Sequence, residues 1–244
     1  SRAGQHNGWM LLSYKGKTTV SSSKMQIKKS TSTDNDYDIT EMPLVKNSDG
    51  EIISEVLTDE SPKSFWVAEA NDNKQWVKIE MLNPGKIYAF QLNFHDHESG
   101  IYTRVDGLRH RFIIEVSEDG ETWQTVVDRS NSWKDSPNAF IVLSQPIEGK
   151  FVRYKNNEVP GANLAMSEIR VFGLGVGEKP EMVNGFNVKR ESDPRNATVS
   201  WQPVERAQGY NIRWGIAPEK LYHSWLIYED NEHLMRCLDR DTPY

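Results

Sequence analysis

Apolar residues recur at every second position through the middle of this chain, and no strong amphipathic helical pattern accompanies them. Tyr88, Phe90, Leu92 and Phe94 alternate with Ala89, Gln91 and Asn93, while His110, Phe112, Ile114 and Val116 alternate with Arg111, Ile113 and Glu115. Side chains of a strand point to opposite faces in turn, so the pattern predicts strands with one well-buried face. Segments 76–81, 139–143, 151–156 and 168–172 read the same way, separated by turn chemistry such as Asn83-Pro84-Gly85 and Asp119-Gly120. Short strands in succession without intervening helices predict an all-β fold, an antiparallel sandwich or barrel rather than a parallel α/β sheet.

The 244 residues leave room for two domains, each with its own core. The strand pattern breaks at Gly173-Leu174-Gly175-Val176-Gly177-Glu178-Lys179-Pro180, where three glycines and a proline predict a domain boundary. Beyond it, 197–201, 210–214, 225–228 and 234–238 are again short alternating segments, and the polar stretch 30–38 reads as a surface loop. Eight Trp, nine Tyr and eight Phe rule out a disordered acidic chain, because their burial offsets the entropy of ordering. The formal charge is −6 and the basic residues are scattered, with Lys24, Lys28 and Lys29 the nearest thing to a cluster. That excludes the electrostatic footprint of a nucleic-acid binder and favours neutral partners. One cysteine, Cys237, excludes an internal disulfide framework and a thiolate zinc site, and is expected in the core. No apolar run approaches the length of a membrane span. The start, Ser1-Arg2-Ala3-Gly4-Gln5-His6, has neither an initiator Met nor the apolar region of a signal peptide, and reads as a piece of a longer protein.

Several pieces, taken in order, carry a family resemblance. Leu57-Thr58-Asp59-Glu60-Ser61-Pro62-Lys63-Ser64-Phe65-Trp66 is followed by Gln75-Trp76-Val77-Lys78-Ile79-Glu80. Then come Ile114-Glu115-Val116-Ser117-Glu118-Asp119-Gly120-Glu121-Thr122-Trp123, Phe151-Val152-Arg153-Tyr154 and Ala165-Met166-Ser167-Glu168-Ile169-Arg170-Val171-Phe172-Gly173. The set resembles the discoidin (coagulation factor 5/8 type C) family, with Glu60-Ser61 standing where the family more often has Gly-Asp. The resemblance implies a discoidin-like antiparallel β-sandwich (jelly-roll) over residues 10–174. Residues 1–9, with Gly8-Trp9-Met10-Leu11-Leu12-Ser13-Tyr14, are similar to the junction that follows the catalytic domain of glycoside hydrolase family 43 enzymes in gut Bacteroidetes. That implies an exported parent with the catalytic domain upstream. After a linker at 175–180, residues 181–244 resemble a fibronectin type III repeat, with Trp201 as its buried second-strand Trp. Tyr210-Asn211-Ile212-Arg213-Trp214 looks like the third strand of that repeat, and 238–244 like the approach to its tyrosine corner. An immunoglobulin-like sandwich lacking two strands is expected there.

The discoidin resemblance also implies a structural Ca²⁺. Its carboxylates would be Asp59 and Glu168, with carbonyls near Val56, Ser61, Ser64 and Ser167 and the Ser64 hydroxyl as an extra ligand, since hard cations want six to eight oxygens. Alternatively, Asp59 only caps its turn and Glu168 pairs with a nearby arginine. His95-Asp96-His97-Glu98 invites a transition-metal reading, yet His95 and His97 share one face of a strand while Asp96 points away, and nothing marks a fourth ligand.

Glycan recognition needs an aromatic face and a few planar donors and acceptors. His95, His97, Tyr102, His110, Arg111, Trp133 and Asn163 fall at or beside predicted loops and have that chemistry. Trp133 stands out because the surrounding 128–137 is otherwise wholly polar, although a loop Trp can equally fold back on the sandwich. Trp66, Trp76 and Trp123 sit inside strand or hairpin patterns and are expected in the core.

The leading reading is a non-catalytic carbohydrate-binding and spacer region of a polysaccharide-degrading enzyme. A structural module that docks on the catalytic domain without a sugar site is the alternative. Independent hydrolase activity would need convergent carboxylates that the sequence does not identify.

Overall fold

The structure, a computed structural model, describes residues 8–29, 39–98, 100 and 106–244. The chain divides into two compact units, one formed by Leu11–Val176 and the other built on Gly177–Tyr244.

The first unit is an antiparallel β-sandwich. Its strands are β1 (Met10–Leu11), β2 (Lys17–Val20), β3 (Met25–Lys29), β4 (Ile39–Glu41), β5 (Ile52–Ile53), β6 (Phe65–Val67), β7 (Trp76–Phe94), β8 (Arg111–Ser117), β9 (Gln124–Asp128), β10 (Asn138–Glu158) and β11 (Ala165–Gly175). They pair in the order β4-β3-β6-β11-β7-β10-β8-β9, with β1 on β11, β2 on β7 and β5 on β2. The sequence predicts a turn at Asn83-Pro84-Gly85 and separate strands at 139–143 and 151–156, yet β7 and β10 each run through as one long strand. Gly85 pairs with both Gly149 and Gly175, so the ladder bends there without breaking. An added Cβ on Gly149 would meet a Val116 methyl at 2.3 Å, which is why the close approach needs glycine. The bend lets each long strand serve both layers. The 76–80 part of β7 pairs with β2 and with 151–155 of β10, and the 86–94 part pairs with β11 and 138–148 of β10.

Between the layers lie Trp66, Ile79, Phe90, Phe112, Tyr154 and Val171, all essentially inaccessible to solvent. Phe112, Ile114 and Val116 are buried as their alternation predicts. On β7 the alternation changes phase: Ile87, Ala89, Phe90 and Leu92 are buried and Tyr88 is not. Both neighbouring strands skip Tyr88 in their register, so an extra residue there turns the following side chains to the other face.

Of the three tryptophans expected in the core, only Trp66 is enclosed, with its Nε1 donating to the Ser22 carbonyl at 3.0 Å. Trp76 shares the outward face with Lys78 and Glu80 while Val77, Ile79 and Met81 point inward. Trp123 is half-buried under the Arg153 guanidinium at 4.1 Å.

The second unit has β12 (Asn187–Arg190), β13 (Ala197–Ser200), β14 (Tyr210–Trp214), β15 (His223–Ile227) and β16 (Glu232–Met235). One sheet runs β12-β13-β16 and the other is the pair β14-β15. Its small core holds Ala197, Val199, Met235 and Leu238, and Trp201 is buried edge-on to Tyr210. Cys237 is exposed in the bend after β16 rather than buried. Among the described residues no helix is long and apolar enough to cross a membrane.

Candidate functional site

The segments around His95, His110, Trp133 and Asn163 meet at one end of the first unit. The Phe94 amide donates to the Pro137 carbonyl at 2.9 Å, the His95 amide to Ala165 at 2.9 Å and the His110 amide to Lys134 at 3.0 Å. Asn71 ties in the segment after β6. Its Nδ2 donates to the Val159 and Gly161 carbonyls at 2.7 and 2.8 Å, and its Oδ1 accepts from the Val159 amide at 3.0 Å. Backbone groups that no ladder can use are satisfied in this way, which fixes the loops on the rigid strand ends.

Trp133 is 76% exposed on that end. The guanidinium carbons of Arg109 and Arg111 lie 5.3 and 4.9 Å from its ring centroid, within range of attraction to the ring quadrupole. Glu158 holds both arginines. It accepts from Arg109 Nε at 3.0 Å (Oε1) and 2.9 Å (Oε2), and from Arg111 Nη1 at 3.1 Å. Arg111 Nε also donates to the Ser132 carbonyl at 3.1 Å, so the loop carrying Trp133 is tied to the start of β8. The hydrogen bond from Arg109 keeps the Glu158 carboxyl below its ordinary range. The result is an aromatic ring open to solvent and steadied by two planar cations. Such a surface can stack on the C–H face of a pyranose while the cations donate to its oxygens.

Of the predicted contact residues, only Arg111 touches the Trp133 ring among the described residues, and the others have different partners. His95 stacks on Phe65 with centroids 3.9 Å apart, and His97 lies 6.2 Å from the same ring. Burial pushes the His95 imidazole below its ordinary pKa, and His97 adds to the shift. His110, named as a contact residue, is 4% exposed and packs on Phe94 at 4.5 Å; it continues the buried face of Phe112, Ile114 and Val116, which carries it under the loops. Asn163 Nδ2 donates to the Ala68 carbonyl at 2.9 Å. Tyr102 lies outside the described residues.

Sequence reasoning missed Arg109, Glu158 and Phe65. Arg109 and Arg111 share a face two residues apart, a signal available in the sequence. Glu158 depends on the β8–β10 register, which places it opposite Arg111.

The expected cation site brings Asp59 and Glu168 close enough that the Asp59 charge disfavours ionisation of Glu168. Burial pushes both carboxyls above their ordinary values. Asp59 Oδ1 accepts from the Ser61 amide at 2.9 Å, and the enclosed Ser64 hydroxyl bonds the same carboxylate. Glu168 Oε2 accepts from Asn93 Nδ2 at 2.6 Å and Oε1 from Arg170 Nη2 at 3.0 Å. Arg170 also forks onto Glu60 at 2.9 and 2.8 Å. Glu60 itself has φ 61°, the left-handed conformation that favours the glycine usual in the family. Ser167 Oγ donates to the Asn93 carbonyl at 3.3 Å, and Val56 is buried in a short 3₁₀ turn. Both elements of the alternative reading, the turn cap and the arginine partner, are therefore present. Among the described residues no three His, Cys, Asp or Glu side chains converge as a metal site. The donors fit a hard cation in part: two desolvated carboxylates and a hydroxyl, with the remaining oxygens left to the backbone.

A groove of about 1140 Å³ beside the Asp59 loop is lined by Lys17, Lys28, Glu51, Asp59, Lys78 and Phe151, among others. Its lysines are matched by as many carboxylates, including Lys78 to Glu51 at 2.6 Å, so it has no net preference for a charged ligand.

The family model for the F5/8 type C domain matches residues 26–169. No curated protein matches the chain. Among solved structures, the Clostridium perfringens module CpGH89CBM32-6 is 18% identical with a TM-score of 0.43, covering 67% of this chain and 99% of its own. Chitosan-binding module 1 from a chitosanase/glucanase of Paenibacillus sp. IK-5 is 15% identical with a TM-score of 0.45, over 67% and 99%. A second C. perfringens module, CpGH89CBM32-4, solved in complex with GlcNAc-α-1,4-galactose, is 15% identical with a TM-score of 0.44, over 68% and 94%.

Proposed function

The chain belongs to the F5/8 type C domain family, and from that premise we propose that its first unit is a non-catalytic carbohydrate-binding module whose sugar stacks on Trp133. The observation that carries this reading is a tryptophan 76% exposed, yet fixed in place by Arg109 and Arg111. It is the most exposed aromatic side chain among the described residues, and anchoring removes the entropy that a loose ring would lose on binding. Phe65 with His95 and His97 offers a second aromatic and polar surface at the same end.

In this reading the module holds an exported glycoside hydrolase, carried upstream in the same polypeptide, near its polysaccharide; tethering makes weak contacts effective. A Ca²⁺ between Asp59 and Glu168 would tie the first loop to the last strand, supported by the raised pKa of both carboxyls. The second unit is read as fibronectin type III-like, supported by the separation of β12-β13-β16 from β14-β15 and by buried Trp201.

The test is retardation of the 244-residue protein in gels containing soluble polysaccharides, beside Trp133→Ala. Retardation by one or more polysaccharides that Trp133→Ala abolishes is expected. Retardation that survives Trp133→Ala would put the sugar elsewhere on the module and overturn the Trp133 site, and none on any glycan would favour the docking-module alternative.

A further inference from the structure

We infer that the Trp133 platform selects an acidic sugar, a pyranose bearing a carboxylate or a sulfate ester, with Arg109 as the specificity-determining residue. The inference rests on the reading of Trp133 as the stacking surface and adds the charge of the ligand.

Glu158 uses only part of each guanidinium. It engages Arg109 through Nε alone, so among the described residues the two terminal nitrogens of Arg109 donate no hydrogen bond. Arg111 spends Nε on the Ser132 carbonyl and Nη1 on Glu158, and its Nη2 is likewise without a bond among the described residues. A guanidinium matches a carboxylate or sulfate through two parallel N–H groups, and the terminal edge of Arg109 presents that pair. Both guanidiniums lie within 5.3 Å of the ring on which the sugar would rest, so an anionic substituent on a stacked ring falls within their reach.

Two guanidiniums against one carboxylate leave this cluster a net positive charge on a chain whose formal charge is −6. Arg129, in the same loop, adds a third cation that rests over Phe112 at 5.7 Å with no carboxylate partner among the described residues. Arg129 and Lys134 offset the two carboxylates of that loop, Asp135 and Asp128, the latter accepting from the Ser130 amide and hydroxyl, so the surplus positive charge of Arg109 and Arg111 over Glu158 stands. A site for neutral sugars has no need of two half-buried guanidiniums side by side, since serine or asparagine would supply the same hydroxyl contacts.

Titration calorimetry on the 244-residue protein with tetragalacturonate, a sulfated galactotetraose and neutral galactotetraose decides the matter. At least one of the two acidic sugars should bind about tenfold or more tighter than the neutral one, with the advantage shrinking as salt is added. The two acidic arms distinguish carboxylate from sulfate. Arg109→Gln should remove the advantage at an unchanged melting temperature, and Arg109→Lys, which keeps the charge but loses the fork, should restore only part of it. Equal affinity for neutral and acidic sugars, or a preference that Arg109→Gln leaves intact, overturns the inference while Trp133 stacking stands. Silence with all three sugars alongside retardation by some other neutral glycan does the same. Binding that survives Trp133→Ala removes the platform, and the inference with it.

Discussion

The imidazole of His110 accepts a hydrogen bond at Nδ1 from the Ser136 amide at 3.0 Å, which requires that nitrogen to be unprotonated. Burial lowers the His110 pKa from its ordinary 6.5, and nearby Asp135 only partly opposes the shift. His95 is lowered by burial as well. The unfolded chain therefore takes up protons below about pH 6.5 that the folded chain refuses, and stability falls as pH drops through that range. The melting temperature should decrease between about pH 7.5 and 5.5. The decrease should be smaller in His110→Gln, which keeps an acceptor and does not titrate. At lower pH the raised carboxyls Asp59 and Glu168 act in the opposite sense, because protonation relieves their burial. A flat profile from pH 7.5 to 5.5 would contradict the assignment.

Trp66 and Trp133 should separate stability from binding. Trp66→Ala removes a fully enclosed ring and orphans the Ser22 carbonyl. Its cost should be about 3–5 kcal/mol in denaturant unfolding. Trp133→Ala should stay within about 0.5 kcal/mol of the parent in the same measurement.

Calcium should raise the melting temperature of the first unit and excess chelator should lower it, with Asp59→Asn abolishing the difference. Equal melting with Ca²⁺ and chelator would leave Arg170, bridging Glu60 and Glu168, as the cation that ties loop to strand.

Gly173→Ala tests the packing of β11. A Cβ at that position would meet the Lys86 carbonyl oxygen at 2.1 Å, a backbone atom that cannot rotate away. Destabilisation of about 1–3 kcal/mol is expected by calorimetry. A neutral effect would mean that β7 and β11 slide apart at little cost.

Alternation in the sequence determined the all-β character of the chain and the buried faces of Phe112, Ile114 and Val116, because period two is a local property that the backbone imposes. The isolated Trp in a polar loop likewise marked Trp133, whereas the glycine-rich run after Phe172 did not end the strand, since β11 continues to Gly175. Only the tertiary structure decided the rest. Continuity of β7 and β10 through their glycine bends depends on neighbours far along the chain, as does the phase change at Tyr88 that buries Ile87 and Ala89. Trp76 and Trp66 have the same hydrophobicity, but only their place in the register sets one outward and the other inward. The candidate site followed the same division. Trp133 and Arg111 were legible from residue type, whereas Glu158, 47 residues from Arg111, joins them only because β8 and β10 pair. Cross-strand register is fixed by the sum of many contacts, and no single segment carries it.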